Sequence, residues 1–424
     1  MKIAMFGGNS AAHFISQKLL EDPAVEMVYH YNANIANPPS NRYQPFNGTS
    51  VELFKFMETN QINLIIPTVL QFQIWPDLQK KIKELDIPVL MPDYELALLE
   101  WSKIRGKRLL GELQIPSAPF KLYRQRGLFD NFFNIKRPFV LKFDRDWRAG
   151  LQTVIITDDN YLEEFENLKK SGTRRYMKQY GDFVDQCFVV EEFVTGVREY
   201  SYHALCNATG WTYLGSSRDY KKFGEGDVGF NTASMGSYAP VPEIDPAVHR
   251  YVDKFVKHFI EKGTPYVGVL YLGIMVKEDG TSIVLEINTR PGDPEIQPIL
   301  SLLDDSISIA DLFYKTATNQ ALPKLNTVEN LACASVRIVH QDYLGNLEEG
   351  VSIENHKETA TLQPTLWPKE SDIYISFNRQ RLLLNSTLTT TAPTVDQAAD
   401  KLYKFLENKT MYDYTYRTDI GYLK

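Results

Sequence analysis

The stretch from Gly268 to Glu295 constrains this chain more than any other. Gly268–Val276 is an unbroken apolar run, Asp279-Gly280 is a strong two-residue turn signal, and Thr281–Asn288 runs back as a second strand. The pattern predicts a β-hairpin. Side chains alternate along a strand, so Glu286 and Asn288 share one face while Leu285 and Ile287 turn to the core. A carboxylate and an amide oxygen two residues apart suit a hard cation such as Mg²⁺, which keeps waters and phosphate oxygens and needs few protein ligands. The same pair is also compatible with a strand end that faces water. The loop that follows, Thr289-Arg290-Pro291-Gly292-Asp293-Pro294-Glu295, adds a guanidinium suited to phosphate or carboxylate.

Upstream, short apolar runs at Lys2–Phe6, Ile62–Ile66 and Ile87–Met91 alternate with helical patterns at Ala11–Leu20, Val51–Met57 and Leu78–Leu85, the first capped by Asn9 or Ser10. That alternation predicts a parallel sheet with right-handed crossovers. A helix over Tyr94–Leu113 ends before Ile115-Pro116. Strands follow at Phe139–Phe143, Thr153–Thr157 and Phe188–Phe193, then a glycine-rich loop at 224–236 and a helix at Pro246–Lys262. After Asn326 the β-branched residues multiply, and a small, mainly β unit is expected.

Bulk properties narrow the class. At 424 residues the chain can hold two to four compact units, and its formal net charge of −7 argues against a dedicated nucleic-acid binder. Three scattered cysteines form no metal-ligand pattern and fit a reducing compartment. With no signal-like or membrane-spanning segment, a cytoplasmic protein with small-molecule substrates is expected, as monomer or homodimer.

Val284-Leu-Glu-Ile-Asn-Thr-Arg-Pro-Gly-Asp-Pro-Glu-Ile-Gln-Pro298 closely resembles a signature of phosphoribosylamine–glycine ligases, members of the ATP-grasp superfamily. Other matches follow in the family's order: Glu100-Trp101-Ser102-Lys103, Val190–Val194, Glu199-Tyr200-Ser201, Arg218–Lys222 through Asn231-Thr232, Met235–Tyr238 and Tyr416–Gly421. The resemblance implies an α/β and α+β chain with an N-terminal parallel-sheet domain (1–103), a two-part ATP-grasp domain (104–194 and 195–325) and a β-rich C-terminal domain (326–424). It implies ATP-dependent ligation of a carboxylate such as glycine to an amine such as phosphoribosylamine through an acyl phosphate, as in purine biosynthesis. Glu286 and Asn288 would then ligate Mg²⁺, or Mn²⁺ in its place. Lys103 and Lys142 would contact ATP phosphates, Glu191, Glu192, Phe193 and Val194 would hold adenine, and Glu199 would lie near the ribose. Ser10, Asp219, Asn231, Thr232, Arg290, Gly292 and Asp293 would line the substrate side, with Arg290 and Asp293 at the chemistry.

Lys142 also stands out unaided, because a lysine turned inward on the apolar strand Val140–Phe143 is costly unless paired. Glu191 and Glu192 face opposite sides of their strand, so only one can address a ligand directly.

The chain departs from the family in four places. An Arg-Glu pair in the first turn is Ala11-Ala12, and a sugar-binding glutamate is absent from Ile66–Gln71, where Thr68 stands. The lid lysine is absent from Ala149-Gly150-Leu151-Gln152, with Arg145 and Arg148 as candidate replacements. A Gly-Gly pair is Ala233-Ser234. These changes leave open a ligase with a different amine or amino acid, or a non-catalytic nucleotide-binding paralogue.

Overall fold

The computed structural model describes residues 1–32, 40–145, 153–171, 187–242, 244–341, 372–378, 385–407 and 414–422. The chain forms two compact units, each discontinuous in sequence. Met1–Ala97, Tyr200–Leu272 and Asn288–Lys424 make the first, and Leu98–Glu199 with Gly273–Ile287 the second. The N-terminal and C-terminal segments both fall in the first unit.

The first unit opens with β1 (Lys2–Phe6), α1 (Ser10–Glu21), β2 (Met27–Tyr31), β3 (Tyr43–Phe46), α2 (Ser50–Thr59), β4 (Leu64–Pro67), α3 (Leu70–Gln73) and α4 (Pro76–Glu84). The four strands pair in parallel in the order β3-β2-β1-β4, the sheet that the strand–helix alternation requires. Asn9 caps α1, its side-chain oxygen accepting from the Ala12 amide at 3.2 Å. Helix α1 buries Phe14, Ile15 and Leu19 against Ile3, Met5, Leu64 and Ile66. Ile87–Met91 falls short of the expected strand and makes a single parallel bridge, Ile65 to Val89. Pro88 has no amide hydrogen to extend the ladder.

In the second unit come α5 (Tyr94–Trp101, begun in the first), α6 (Lys103–Glu112), β5 (Phe120–Arg124), α7 (Gln125–Asn131), β6 (Phe139–Phe143), β7 (Thr153–Ile156), α8 (Tyr161–Ser171) and β8 (Cys187–Glu192). The strands form an antiparallel sheet in the order β5-β8-β6-β7. Its core gathers Leu128, Phe132, Phe139, Leu141 and Phe188. The single helix expected over Tyr94–Leu113 is two. Ser102 interrupts it: its hydroxyl accepts from the Arg105 amide at 3.3 Å and donates to Asp144 at 2.9 Å. A hydroxyl that caps a new helix outweighs the continuous apolar pattern.

The chain continues with β9 (Arg198–Asn207), β10 (Gly210–Asp219), β11 (Lys222–Gly224), β12 (Val228–Asn231), β13 (Gly236–Ala239), α9 (Pro246–Glu261), β14 (Gly268–Val276) and β15 (Ser282–Asn288). It ends with α10 (Ile296–Ser301), α11 (Ile309–Ala317), β16 (Ala332–His340), β17 (Ile373–Asn378), β18 (Asn385–Ala392), α12 (Val395–Glu407) and β19 (Tyr414–Thr415). In the first unit β9-β10-β13-β16-β18-β17 run side by side in one sheet, and β11 pairs with β12 in a small hairpin of its own. Ala398, Leu402 and Leu406 of α12 pack on Val336, Ile338 and Leu388. Strands β14 and β15 form where the sequence placed the hairpin, and the division between units cuts both.

Candidate functional site

In the second unit two lysines converge on one carboxylate. Lys142 on β6 lies 3.0 Å and Lys107 on α6 lies 3.1 Å from the same oxygen of Glu191 on β8. All three are buried, with Glu191 only 2% exposed. Lys142 also donates to the Leu285 carbonyl at 3.0 Å, so Leu285, only partly buried, serves the site through its backbone. Both contacts to Glu191 are ion pairs without directed hydrogen bonds, and the Lys107 ammonium has no hydrogen-bond partner among the described residues. Burial and the neighbouring Lys142 charge pull the Lys107 pKa down to about 8, although Glu191 and Glu286 oppose the shift. Two ammonium groups sharing one carboxylate leave an uncompensated positive charge in a dry place, which an anion would relieve. Lys103, at the start of α6, sits 3.7 Å from Glu286.

Sequence reasoning singled out Lys142 and Lys103 but not Lys107. It lies in the basic run Lys103–Arg108, where any one lysine reads as a solvated face. The carboxylate of Glu191 is committed to the lysines. Of the other expected adenine contacts, Glu192 and Phe193 are exposed and Val194 is partly buried. Glu199 is partly buried at the start of β9. Arg145 is half-exposed, 3.4 Å from Asp144. Arg148 and the segment Ala149–Gln152 lie outside the described residues.

The first unit holds a different cluster. Asp293 Oδ1 accepts from Gln297 at 2.9 Å and from the Ser10 hydroxyl, and it forms an ion pair at 2.8 Å with the guanidinium of Arg337 on β16. Arg337 is 3% exposed and was not anticipated. Nearby, the Gly292 amide donates to His203 Nε2 at 3.3 Å, and the His203 ring stacks on Tyr271 at 4.5 Å. Burial and the Arg290 charge hold the His203 pKa down at about 3, so this imidazole is neutral. Tyr271 donates to Glu295 at 2.9 Å, and burial raises the Glu295 pKa.

The remaining expected residues surround a hairpin. Asp219 ends β10 opposite Ser237, and Asn231 pairs with Lys222. The Thr232 hydroxyl donates to the Lys221 carbonyl at 2.9 Å. The C-terminal motif grips that hairpin: buried Arg417 binds Asp227 at 2.9 Å and the Lys222 carbonyl at 3.0 Å, and Asp419 accepts from the Gly226 amide at 2.8 Å.

Two of the departures sit in tightly packed surroundings. Ala11 and Ala12 are fully buried in the core, leaving no room for an Arg-Glu pair. Thr68 donates to Asn9 at 2.7 Å and packs so close that a Cβ on Gly7 would lie 2.2 Å from its hydroxyl oxygen.

The profile of the phosphoribosylglycinamide synthetase ATP-grasp (A) domain matches residues 101–296, which include Lys103, Lys107, Lys142, Glu191, Glu286 and Asp293. Phosphoribosylamine–glycine ligase of Leptospira interrogans is 29% identical over 401 residues, covering 91% of this chain and 88% of that protein. The Streptococcus suis ligase of the same name is 29% identical over 454 residues, covering 99% of each. Along nearly its whole length the chain is thus similar to phosphoribosylamine–glycine ligases. In fold it is similar to the Thermotoga maritima phosphoribosylamine–glycine ligase, with a TM-score of 0.76 at 23% identity over 99% of this chain and all of that one. Biotin carboxylase of Campylobacter jejuni shares the fold more distantly, with a TM-score of 0.69 at 14% identity over 99% of this chain and 94% of that one.

On these matches the chain is an ATP-grasp ligase. Among the described residues no group of three or more His, Cys, Asp or Glu side chains could hold a metal, and no helix is long and apolar enough to cross a membrane. Glu286 and Asn288 each offer a hard oxygen donor of the kind a divalent ion takes.

Proposed function

We propose that this ligase joins the carboxylate of glycine to the amine of phosphoribosylamine, converting ATP to ADP and phosphate. The observation that carries the nucleotide half is the buried Lys107–Glu191–Lys142 cluster, a cationic socket with one carboxylate too few. In this reading Lys107, Lys142 and Lys103 bind the phosphates of ATP and neutralise the charge that grows on the transferring oxygens. Glu286 and Asn288 would hold Mg²⁺, which would supply further neutralisation of phosphate charge. Glu192, Phe193, Val194 and Glu199 would border the adenosine.

On the other side of the reaction, Arg290 would bind the carboxylate or its acyl phosphate, and Asp293 would orient the attacking amine. The backbone of Gly292 is fixed by neutral His203, so the loop presents its polar groups in one arrangement. Ser10, Asp219, Asn231 and Thr232 would line the amine substrate. No side-chain nucleophile is needed, because the phosphorylated carboxylate is itself the activated species.

The test is ADP release by the purified chain with glycine and phosphoribosylamine, beside a Glu286→Ala variant. Turnover of wild type and its loss in the variant are expected. Turnover only with another amine would overturn the substrate assignment, and full activity of the variant would overturn the metal assignment.

A further inference from the structure

The family motifs leave Arg337 without a role, yet it is among the most fully engaged side chains in the molecule. All three guanidinium nitrogens are used. Nη1 donates to the carbonyls of Ala233 at 2.8 Å and Ser234 at 3.3 Å, and Nε to Thr387 at 3.4 Å. Nη2 reaches Ser10 at 3.1 Å and Asp293 at 2.8 Å. Ser10 in turn accepts from Thr387 at 3.1 Å and from Gln297 at 3.3 Å. Four segments distant in sequence are thereby tied to one point on β16. Burying a guanidinium on a strand that is otherwise mostly small and apolar carries a desolvation penalty that a leucine would avoid. A planar five-donor fork is suited to fixing several acceptors at once.

The pattern on Asp293 shows what is fixed. Oδ1 takes hydrogen bonds from Gln297 and Ser10 and the ion pair with Arg337, whereas Oδ2 takes no hydrogen bond among the described residues. We propose that Arg337 is a positioning residue for the amine half of the reaction: it locks Asp293 by one oxygen and so leaves Oδ2 to accept an N–H of the attacking amine. The inference rests on the reaction proposed above. Arg337 touches no substrate in this account. It acts through Asp293 and through the 233–234 turn next to Thr232.

The experiment compares Arg337→Met, Arg337→Lys, Asp293→Asn and the double variant Arg337→Met/Asp293→Asn. For Arg337→Met, KM for the amine should rise about tenfold or more and kcat should fall, with the Mg·ATP dissociation constant unchanged. The lysine variant should recover part of the loss. The double variant should be no worse than Asp293→Asn alone, because both changes remove one coupled unit. Amide hydrogen exchange supplies a readout independent of turnover. In Arg337→Met, residues 233–236 and 292–297 should exchange faster, while 103–112 and 187–192 keep their wild-type rates. An amine KM within about twofold of wild type, additive losses, or an equal weakening of Mg·ATP binding would overturn the proposal. Should wild type not turn over glycine with phosphoribosylamine, the reaction assignment fails. Exchange then decides Arg337 alone: faster exchange confined to the two segments supports positioning, and unchanged exchange overturns it.

Discussion

The chain buries charge in two places and handles it in opposite ways. Around Glu191 two ammonium groups share one carboxylate, and Lys107 keeps protons that nothing in the described structure accepts. Around Asp293 one guanidinium meets one carboxylate, and every nitrogen of Arg337 is satisfied. The first arrangement is incomplete until an anion arrives, which is the property of a binding site. The second satisfies its cation in full and holds its carboxylate by Oδ1 alone, which is the property of a support that orients a group. Buried charge alone therefore says little about function; the balance of donors and acceptors tells the two apart.

The sharpest way to break this contrast is to remove the lone carboxylate. Glu191→Ala would leave Lys107 and Lys142 buried together, and should destabilise the second unit by about 3–5 kcal/mol, read by urea unfolding. Added Mg·ATP should restore much of that loss by mass action. Lys142→Met removes a phosphate partner while easing the repulsion: ADP formation should fall about 10²–10³-fold, with the apo protein no less stable than wild type. Gly7→Ala tests the close packing beside α1. Its Cβ would meet the Thr68 hydroxyl at 2.2 Å on a backbone with φ of 152°, for a cost of about 1–3 kcal/mol, partly relieved by Thr68→Ala.

The smallest effect is a pH dependence. Lys107 has a pKa of about 8 in the folded chain, below its unfolded value, so the folded state sheds that proton first. Its charging penalty is full below pH 8 and is lifted as pH rises from 8 toward the unfolded lysine value of about 10.4, so apo stability should gain across that window relative to Lys107→Met. Phosphate binding requires the charged form. Mg·ATP affinity should consequently fall by about tenfold per pH unit well above pH 8, and Lys107→Arg should flatten that slope.

The same contrast marks what the sequence disclosed. Lys142 was legible because an inward lysine interrupts an apolar strand, and Glu286 and Asn288 because strand alternation puts them on one face. Lys107 was hidden by its neighbours in a basic run. Arg337 carried the same kind of signal as Lys142, a cation in Ala332–His340, but its partners lie some 45 to 330 residues away and no local pattern announces them. In the fold, hairpin β14–β15 and helix α9 followed directly from turn and periodicity rules. Strands β2 and β3 escaped notice because His30, Gln44 and Pro45 break the apolar pattern. The break at Ser102 depended on Asp144, a contact that only tertiary structure supplies.

The interleaving of the two units also sets the order in which they can form during synthesis. The second unit has all its residues once Ile287 has been made, whereas the first, although it contributes the opening 97 residues, still lacks Asn288–Lys424. The nascent parallel sheet around β1 must wait for α10 and α11 to bring Ile296, Ile299 and Phe313 to its core. A stop codon shortly after Asn288 would thus release a chain whose inserted unit is whole in sequence and whose outer unit exposes an unfinished hydrophobic face, a natural target for chaperones.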